Sequence, residues 1–143
     1  CICAKDSNEI EFREVGTNEG DIIRKFFTWM IERKEFLLIT ANGKEFDLPF
    51  LFTRAVLNGI PLIHFLFIRE MEHFDIFDIS DNRRVSLNNL GRILNVGEKS
   101  GSGYEAINLF NSGKLSILGD YCMDDVKLTE RIYSKYKELK DGK

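Results

Sequence analysis

No stretch of this 143-residue chain approaches the roughly 18 to 20 apolar residues a membrane helix needs, and its start lacks the basic, apolar, small-residue succession of a signal peptide. We therefore expect a soluble, cytoplasmic protein with no membrane partner. Excess positive charge is absent too: the net charge is −3 and the sequence pI about 5.5, which argues against a broad basic surface that grips long nucleic acid. That charge leaves room for an enzyme whose carboxylates hold divalent ions, because the ions then supply the charge that meets a phosphate. Cysteine is scarce and odd in number. Cys1, Cys3 and Cys122 have no paired metal-ligand spacing, and the alternation Cys1-x-Cys3 suits one face of a buried strand, so reduced, structural thiols are expected. Linkers, repeats and low-complexity segments are missing as well. Residues 1–143 read as one domain, with a real core expected from the 43% of residues that are hydrophobic.

What is present is a mixture of strand and helix signals. Cys1 to Ala4 and Ile10 to Val15 read as two strands joined by the polar turn Lys5-Asp6-Ser7-Asn8. From Thr17, a candidate N-cap, the residues Ile22, Ile23, Phe26, Phe27, Met30 and Ile31 recur at helical spacing as far as Lys34. Phe36 to Thr40 predicts a buried strand ending at Ala41-Asn42-Gly43, after which Pro49 opens a helix to about Asn58, closed by Gly59. Between Ile60 and Ile79 the apolar residues fit neither period, and a strand near Phe74 to Phe77 is the reading there. Ser86 predicts the cap of a helix from Leu87 to about Asn95, with Gly97 beyond it. A short helix over Tyr104 to Phe110 and a long terminal one over Leu115 to Leu139 follow. This order implies an α/β domain with a mixed sheet.

Two patterns place an acid beside an aromatic. Asn42-x-x-x-Phe46-Asp47 follows the strand ending at Thr40, at the carboxyl end where α/β sheets commonly bind ligands, and Asp47 enters the next helix near its positive end. Tyr121-x-x-x-Asp125 puts a hydroxyl and a carboxylate on one face of the last helix. Together they sketch a metal site with Asp47 and Asp125 as ligands. Plainer readings stand beside this one: Asp47 as a helix cap, Asn42-Gly43 as a turn, Phe46 and Tyr121 as core aromatics, Asp125 as one acid on a solvated face next to Asp124. Asp75 and Asp78 read first as the polar face of a strand, with Asp75 a third candidate ligand. Lys99 to Gly103 lacks the spacing of a nucleotide-binding loop and reads as a mobile loop beside a substrate groove. Arg83, Arg84, Arg92 and Lys99 are either nucleic-acid backbone contacts or a solvated surface. His64 and His73 lie far along the chain from the Tyr121 motif and read as structural.

On these residues the chain resembles the DEDD 3′–5′ exonucleases, and among them the predicted exonucleases related to the proofreading domain of family B DNA polymerases. Asn42 to Leu51 is similar to the family's second motif, Phe74 to Ile79 to the apolar strand that often carries an aspartate where Asp75 stands, Ser86 to Leu90 to a linking helix, and Tyr121 to Tyr133 to the third motif. One branch of the superfamily has a histidine five residues before its last aspartate and the other a tyrosine four before; with Asp120 and Tyr121 at those positions, the chain resembles the tyrosine branch.

The resemblance implies a ribonuclease-H-like mixed sheet flanked by helices. It implies hydrolysis of single-stranded nucleic acid from the 3′ end with two metal ions, Mg²⁺ or Mn²⁺. Asp47 and Asp125 would then be metal ligands, Tyr121 would position the attacking water, and Asn42 and Phe46 would hold the last nucleotide; Lys99 joins them as a substrate contact on its charge. The family's first motif, Asp-x-Glu on a central strand, has no counterpart. Cys1 to Ala4 resembles the strand after it, and Glu9-x-Glu11, of comparable spacing, falls on the next strand again. The expectation is a domain truncated at its N-terminus and lacking the central strand. Another segment or a partner would complete the sheet, and the isolated chain would be inactive. The alternative is a non-catalytic exonuclease-like module that binds nucleic acid or a protein partner.

Overall fold

The computed structural model describes residues 1–80 and 85–142. Strands β1 (Ile2–Lys5) and β2 (Glu11–Glu14) form the antiparallel hairpin in the register Ile2↔Glu14 to Lys5↔Glu11. Its turn is closed by Asp6, whose carboxylate accepts the backbone N–H groups of Asn8 and Ile10 at 2.9 Å each. Arg33 also donates to Asp6, at 3.0 Å, and so ties the turn to the helix that follows.

That helix, α1 (Glu19–Ile31), is capped by Asn18 rather than Thr17: the Asn18 side chain accepts from the Asp21 N–H at 3.1 Å, the three-residue reach that satisfies a first-turn donor. It ends short of Lys34 because Lys34 itself takes a left-handed conformation, φ 58°, which stops the helical ladder. Buried Ile22, Ile23, Phe27 and Met30 are the stripe read from the sequence.

β3 (Leu37–Thr40) and β4 (Glu72–Asp75) pair in parallel, Leu37↔Glu72 through Thr40↔Asp75. Between them lie α2 (Leu48–Leu57) and α3 (Ile63–Glu70). Gly59, with φ 63°, closes α2. Helix α3 escaped the sequence reading because it is apolar nearly all round. Phe65 and Ile68 are buried while Ile63 and Leu66 remain exposed, so no single stripe marks its period. The strand expected at Phe74 to Phe77 starts earlier and stops at Asp75, where the chain turns into a short 3₁₀ segment, Ile76–Ile79. Asp75 and Asp78 are consequently not one polar strand face: Asp75 is buried and Asp78 lies in that 3₁₀ turn.

The rest is helical. α4 (Leu87–Ile93) starts at Ser86, whose side chain accepts from Asn89 N–H. α5 (Gly103–Asn111) begins with a capping box between Ser102 and Glu105, and α6 (Leu115–Lys140) is the long terminal helix.

The strands separate two apolar clusters. Ile23, Phe27, Met30, Ala55, Phe65 and Ile68 pack on one side with Ile2 and Leu38; Ile76, Leu87, Leu90, Leu128 and Ile132 pack on the other with Ile39 and Phe74. Leu38 and Ile39 are neighbours on β3, so strand alternation alone sends them to opposite helical layers. Among the described residues the two ladders are not hydrogen-bonded to each other. The result is a ribonuclease-H-like α/β arrangement without a full sheet. No helix among the described residues is long and apolar enough to cross a membrane.

Candidate functional site

The loop after β3 is organised by one buried carboxylate. Asp75, 3% exposed, accepts from Asn42 N–H at 2.8 Å and Phe77 N–H at 3.1 Å on Oδ1, and from Lys44 N–H at 3.1 Å and the Thr40 hydroxyl at 3.4 Å on Oδ2. Donors thus hold both oxygens of the third candidate ligand. Asn42 adopts the left-handed region at φ 66°, and Gly43 follows because a Cβ there would come within 2.5 Å of the Thr40 side chain. The chain then makes a π turn, Gly43–Asp47, an irregularity frequently met at functional sites. Asp47 stands at its end with no side-chain bond to the head of α2, so the helix-cap role is not what its carboxylate does.

Partial desolvation pushes the Asp47 carboxyl above the usual aspartate range, and the negative charges of Asp75 and Cys122 add to the push. The residue nonetheless keeps surface access. Phe46, 60% exposed, is not a core aromatic; it stacks on Phe50 with centroids 5.9 Å apart and planes 7° from parallel.

On α6, Tyr121 and Asp125 share a face, as their spacing requires. The Tyr121 hydroxyl donates to Gly101 O at 3.5 Å. Lys99 Nζ sits 2.7 Å from Asp125 Oδ2 and 5.3 Å from the Tyr121 ring centroid. The other carboxylate oxygen, Asp125 Oδ1, is buried with no hydrogen-bond partner.

The two halves of this ion pair respond unequally. Burial lowers the Lys99 pKa, but the bonds to Asp125 and Tyr121 outweigh it and the net shift is upward. At Asp125 desolvation dominates over the Lys99 attraction, and the carboxyl is also raised. The lysine therefore stays charged beside a carboxylate it only partly compensates. Cys122 adds a smaller upward push at both Asp47 and Asp125. A hydrogen bond from Cys3 holds the Cys122 thiol down to about 7, while Cys3 is pushed up.

The remaining candidates have ordinary partners. Lys99 N–H donates to Asn88 and Ser102 caps α5, so the Gly/Ser-rich segment is anchored at both ends. Arg92 pairs with Glu98 at 2.7 Å, and Arg83 and Arg84 lie outside the described residues. Glu9 pairs with Lys5 and Glu11 with Lys127, both at 2.8 Å. His73 Nε2 lies 2.7 Å from the Thr40 hydroxyl, with its pKa lowered by burial and then by Lys44, and His64 packs near Phe27. Sequence reasoning missed the Lys99–Asp125 pair and the place of Cys122, and no local pattern announces either. A shallow groove of about 470 Å³ runs between α5 and α6, past Tyr121, Gly101 and Asp124.

Parallel strands between two helical layers, an acid-bearing loop at the carboxyl end of β3 and a Tyr–Asp pair on the last helix define a ribonuclease-H-like domain of the exonuclease type. Residues 1–142 match the model of one family, the predicted 3′–5′ exonucleases related to the exonuclease domain of PolB, and the chain belongs to it. Shorter stretches are similar to DNA polymerases. One is 37% identical over 65 residues to that of Thermococcus aggregans, covering 46% of this chain and 3% of the polymerase. A second is 34% identical over 55 residues to that of Thermococcus litoralis, covering 38% and 3%. A third is 44% identical over 46 residues to a catalytic subunit of DNA polymerase epsilon from Arabidopsis thaliana, covering 32% and 2%. The matched stretches thus span only a few per cent of those polymerases.

Proposed function

We propose that this single domain belongs to a two-metal 3′–5′ exonuclease acting on single-stranded nucleic acid, with Asp47 and Asp125 as ligands for Mg²⁺ or Mn²⁺. The observation that carries the reading is the buried Asp125 Oδ1, which no hydrogen-bond donor meets. A buried lone pair without a donor costs free energy unless a cation or donor meets it, and hard carboxylate oxygens suit these ions. When bound, such metals lower the pKa of a water and stabilise the leaving 3′ oxygen.

The chain's own side chains do the rest. Tyr121 orients the attacking water through its hydroxyl. The exposed Phe46–Phe50 stack offers a face for the terminal base, and base–aromatic stacking contributes about 1–3 kcal/mol. Asn42 supplies polar contacts to the last nucleotide from a loop that Asp75 holds still. Lys99 exchanges its bond to Asp125 for a phosphate oxygen when substrate enters.

Among the described residues no three carboxylate or imidazole ligand atoms converge within 4.8 Å, and two divalent ions need several carboxylates between and around them. The 143-residue chain alone is therefore expected to be a weak nuclease or none. A second reading rests on Lys99: an ammonium already seated on Asp125 fits a non-catalytic module that binds nucleic acid or a protein partner without metal. The test is a 5′-labelled single strand incubated with the chain, and with a longer form carrying its upstream sequence, in Mg²⁺, Mn²⁺ or EDTA. Stepwise 3′ shortening should need metal and fall at least about a hundredfold in Asp125→Asn, while Tyr121→Phe should slow it with the fold intact. Metal-independent strand binding without cleavage by the longer form would favour the module instead.

A further inference from the structure

We propose that Cys1, Cys3 and Cys122 form a three-thiolate site for a thiophilic divalent cation, zinc in the first instance, which clamps the β1–β2 hairpin to α6. The three sulfurs lie within 4.8 Å of one another although Cys1 and Cys3 stand at the start of the hairpin and Cys122 on α6, more than a hundred residues away. Cys1 Sγ and Cys3 Sγ are 3.7 Å apart. Zinc–thiolate bonds of about 2.3 Å in tetrahedral array set sulfur–sulfur edges of about 3.8 Å. That pair is thus already at coordination distance, and Cys122 need move by no more than about an ångström to close the triangle.

The fold explains the convergence. Cys3 stands on β1 and Cys1 just before it, and their sulfurs lie on the same side, 3.7 Å apart. That side faces α6, where Cys3 Sγ approaches Gly119 O at 3.7 Å. Gly119 has no side chain, and a Cβ there would strike the Arg13 guanidinium, so the helix comes close to the strand at this point and delivers Cys122 one turn later. Arg13, opposite Cys3 in the hairpin register, stands by as a positive neighbour to a thiolate cluster.

A disulfide is the competing use of these groups, but it consumes two sulfurs and leaves the third unexplained. Sulfur donors select zinc over the oxygen-seeking magnesium, so this site differs in chemistry from the carboxylate site. Cys1 is exposed, which leaves water access to a fourth coordination position. Binding releases the thiol protons to solvent, and the ion then tethers β1 to the helix carrying Tyr121 and Asp125.

The reduced, metal-stripped chain is titrated with Co²⁺ as a spectroscopic probe and then with Zn²⁺. The expected result is an intense thiolate-to-cobalt charge-transfer band saturating at one ion per chain, displaced by Zn²⁺, with Zn²⁺ also raising the melting temperature. Cys122→Ser and Cys3→Ser should each weaken binding at least about tenfold, whereas Asp47→Asn combined with Asp125→Asn should keep the band. The wild-type titration needs no variant to fold. Absence of the band, a band unchanged in Cys122→Ser, or a band lost in the aspartate double variant would overturn the site. None of these outcomes bears on whether the carboxylate site cleaves nucleic acid.

Discussion

Replacing Asp75 with asparagine changes one atom and should unsettle the whole site loop. The carboxylate meets four donors with two oxygens, Asn42 and Phe77 N–H on Oδ1, Lys44 N–H and the Thr40 hydroxyl on Oδ2. An amide has one oxygen, so one pair of donors must face an NH₂ group. The amide will put its nitrogen toward Lys44 and Thr40, because the Thr40 hydroxyl can turn to accept whereas two backbone N–H groups cannot. Lys44 N–H is then orphaned at a part-buried position, at about 1–3 kcal/mol, and the two bonds kept on Oδ1 lose their charge assistance. With partial relaxation we expect a loss of about 2–4 kcal/mol, and more in Asp75→Ala, which strands every donor. With a urea slope of about 2 kcal/mol per molar, the denaturation midpoint falls by about 1–2 M. Asp75→Asn should also reduce any metal-dependent cleavage by the longer form, since Asn42 and Asp47 hang on that loop. A midpoint within about 0.3 M of wild type would mean that Asp75 does not hold the loop as described.

Gly43→Ala should destabilise by about 1–3 kcal/mol, because its Cβ would meet the Thr40 side chain at 2.5 Å; a melting temperature equal to that of wild type would refute the close approach. Leu128, 1% exposed between α4 and the strands, should cost about 2–5 kcal/mol on truncation to alanine, read by chemical denaturation; a loss under about 1 kcal/mol would contradict a packed second cluster. The carboxyls of Asp47 and Asp125 are raised above the ordinary 3.8, so the folded state binds protons more tightly than the unfolded one. Their contribution to stability therefore increases as pH falls through the raised pKa values, opposite to a salt-bridged surface aspartate, and is lost as pH rises above them. Mn²⁺ binding should run the other way, weakening on acidification at a higher pH than for an unperturbed aspartate; a titration by electron paramagnetic resonance that holds affinity constant down to the ordinary aspartate range would refute the shift.

Much of this protein was legible before its structure, and the legible parts share a cause. The α1 stripe, the Ser86 cap, the close of α2 at Gly59 and the span of α6 depend on neighbours within a turn or two, so residue order carries them. The same holds for Tyr121 and Asp125, whose common face follows from helical spacing alone. The position of the α1 cap was off by one residue because Thr17 and Asn18 are both competent, and only the three-residue reach to Asp21 chooses between them. Helix α3 could not be read since exposed and buried faces are equally apolar there. Asp75 looked like a strand's polar edge; its burial is decided by the loop after β3 folding onto it from more than thirty residues away. The pairing of Lys99 with Asp125, the orphaned Oδ1, the separation of the two ladders and the meeting of Cys122 with Cys1 and Cys3 are likewise products of packing between distant segments. Local sequence determined which residue types could do chemistry and on which element each would stand. Tertiary structure alone decided which of them face one another, because a carboxylate or thiol takes its charge, its partners and its ligands from groups that the chain brings near only when it folds.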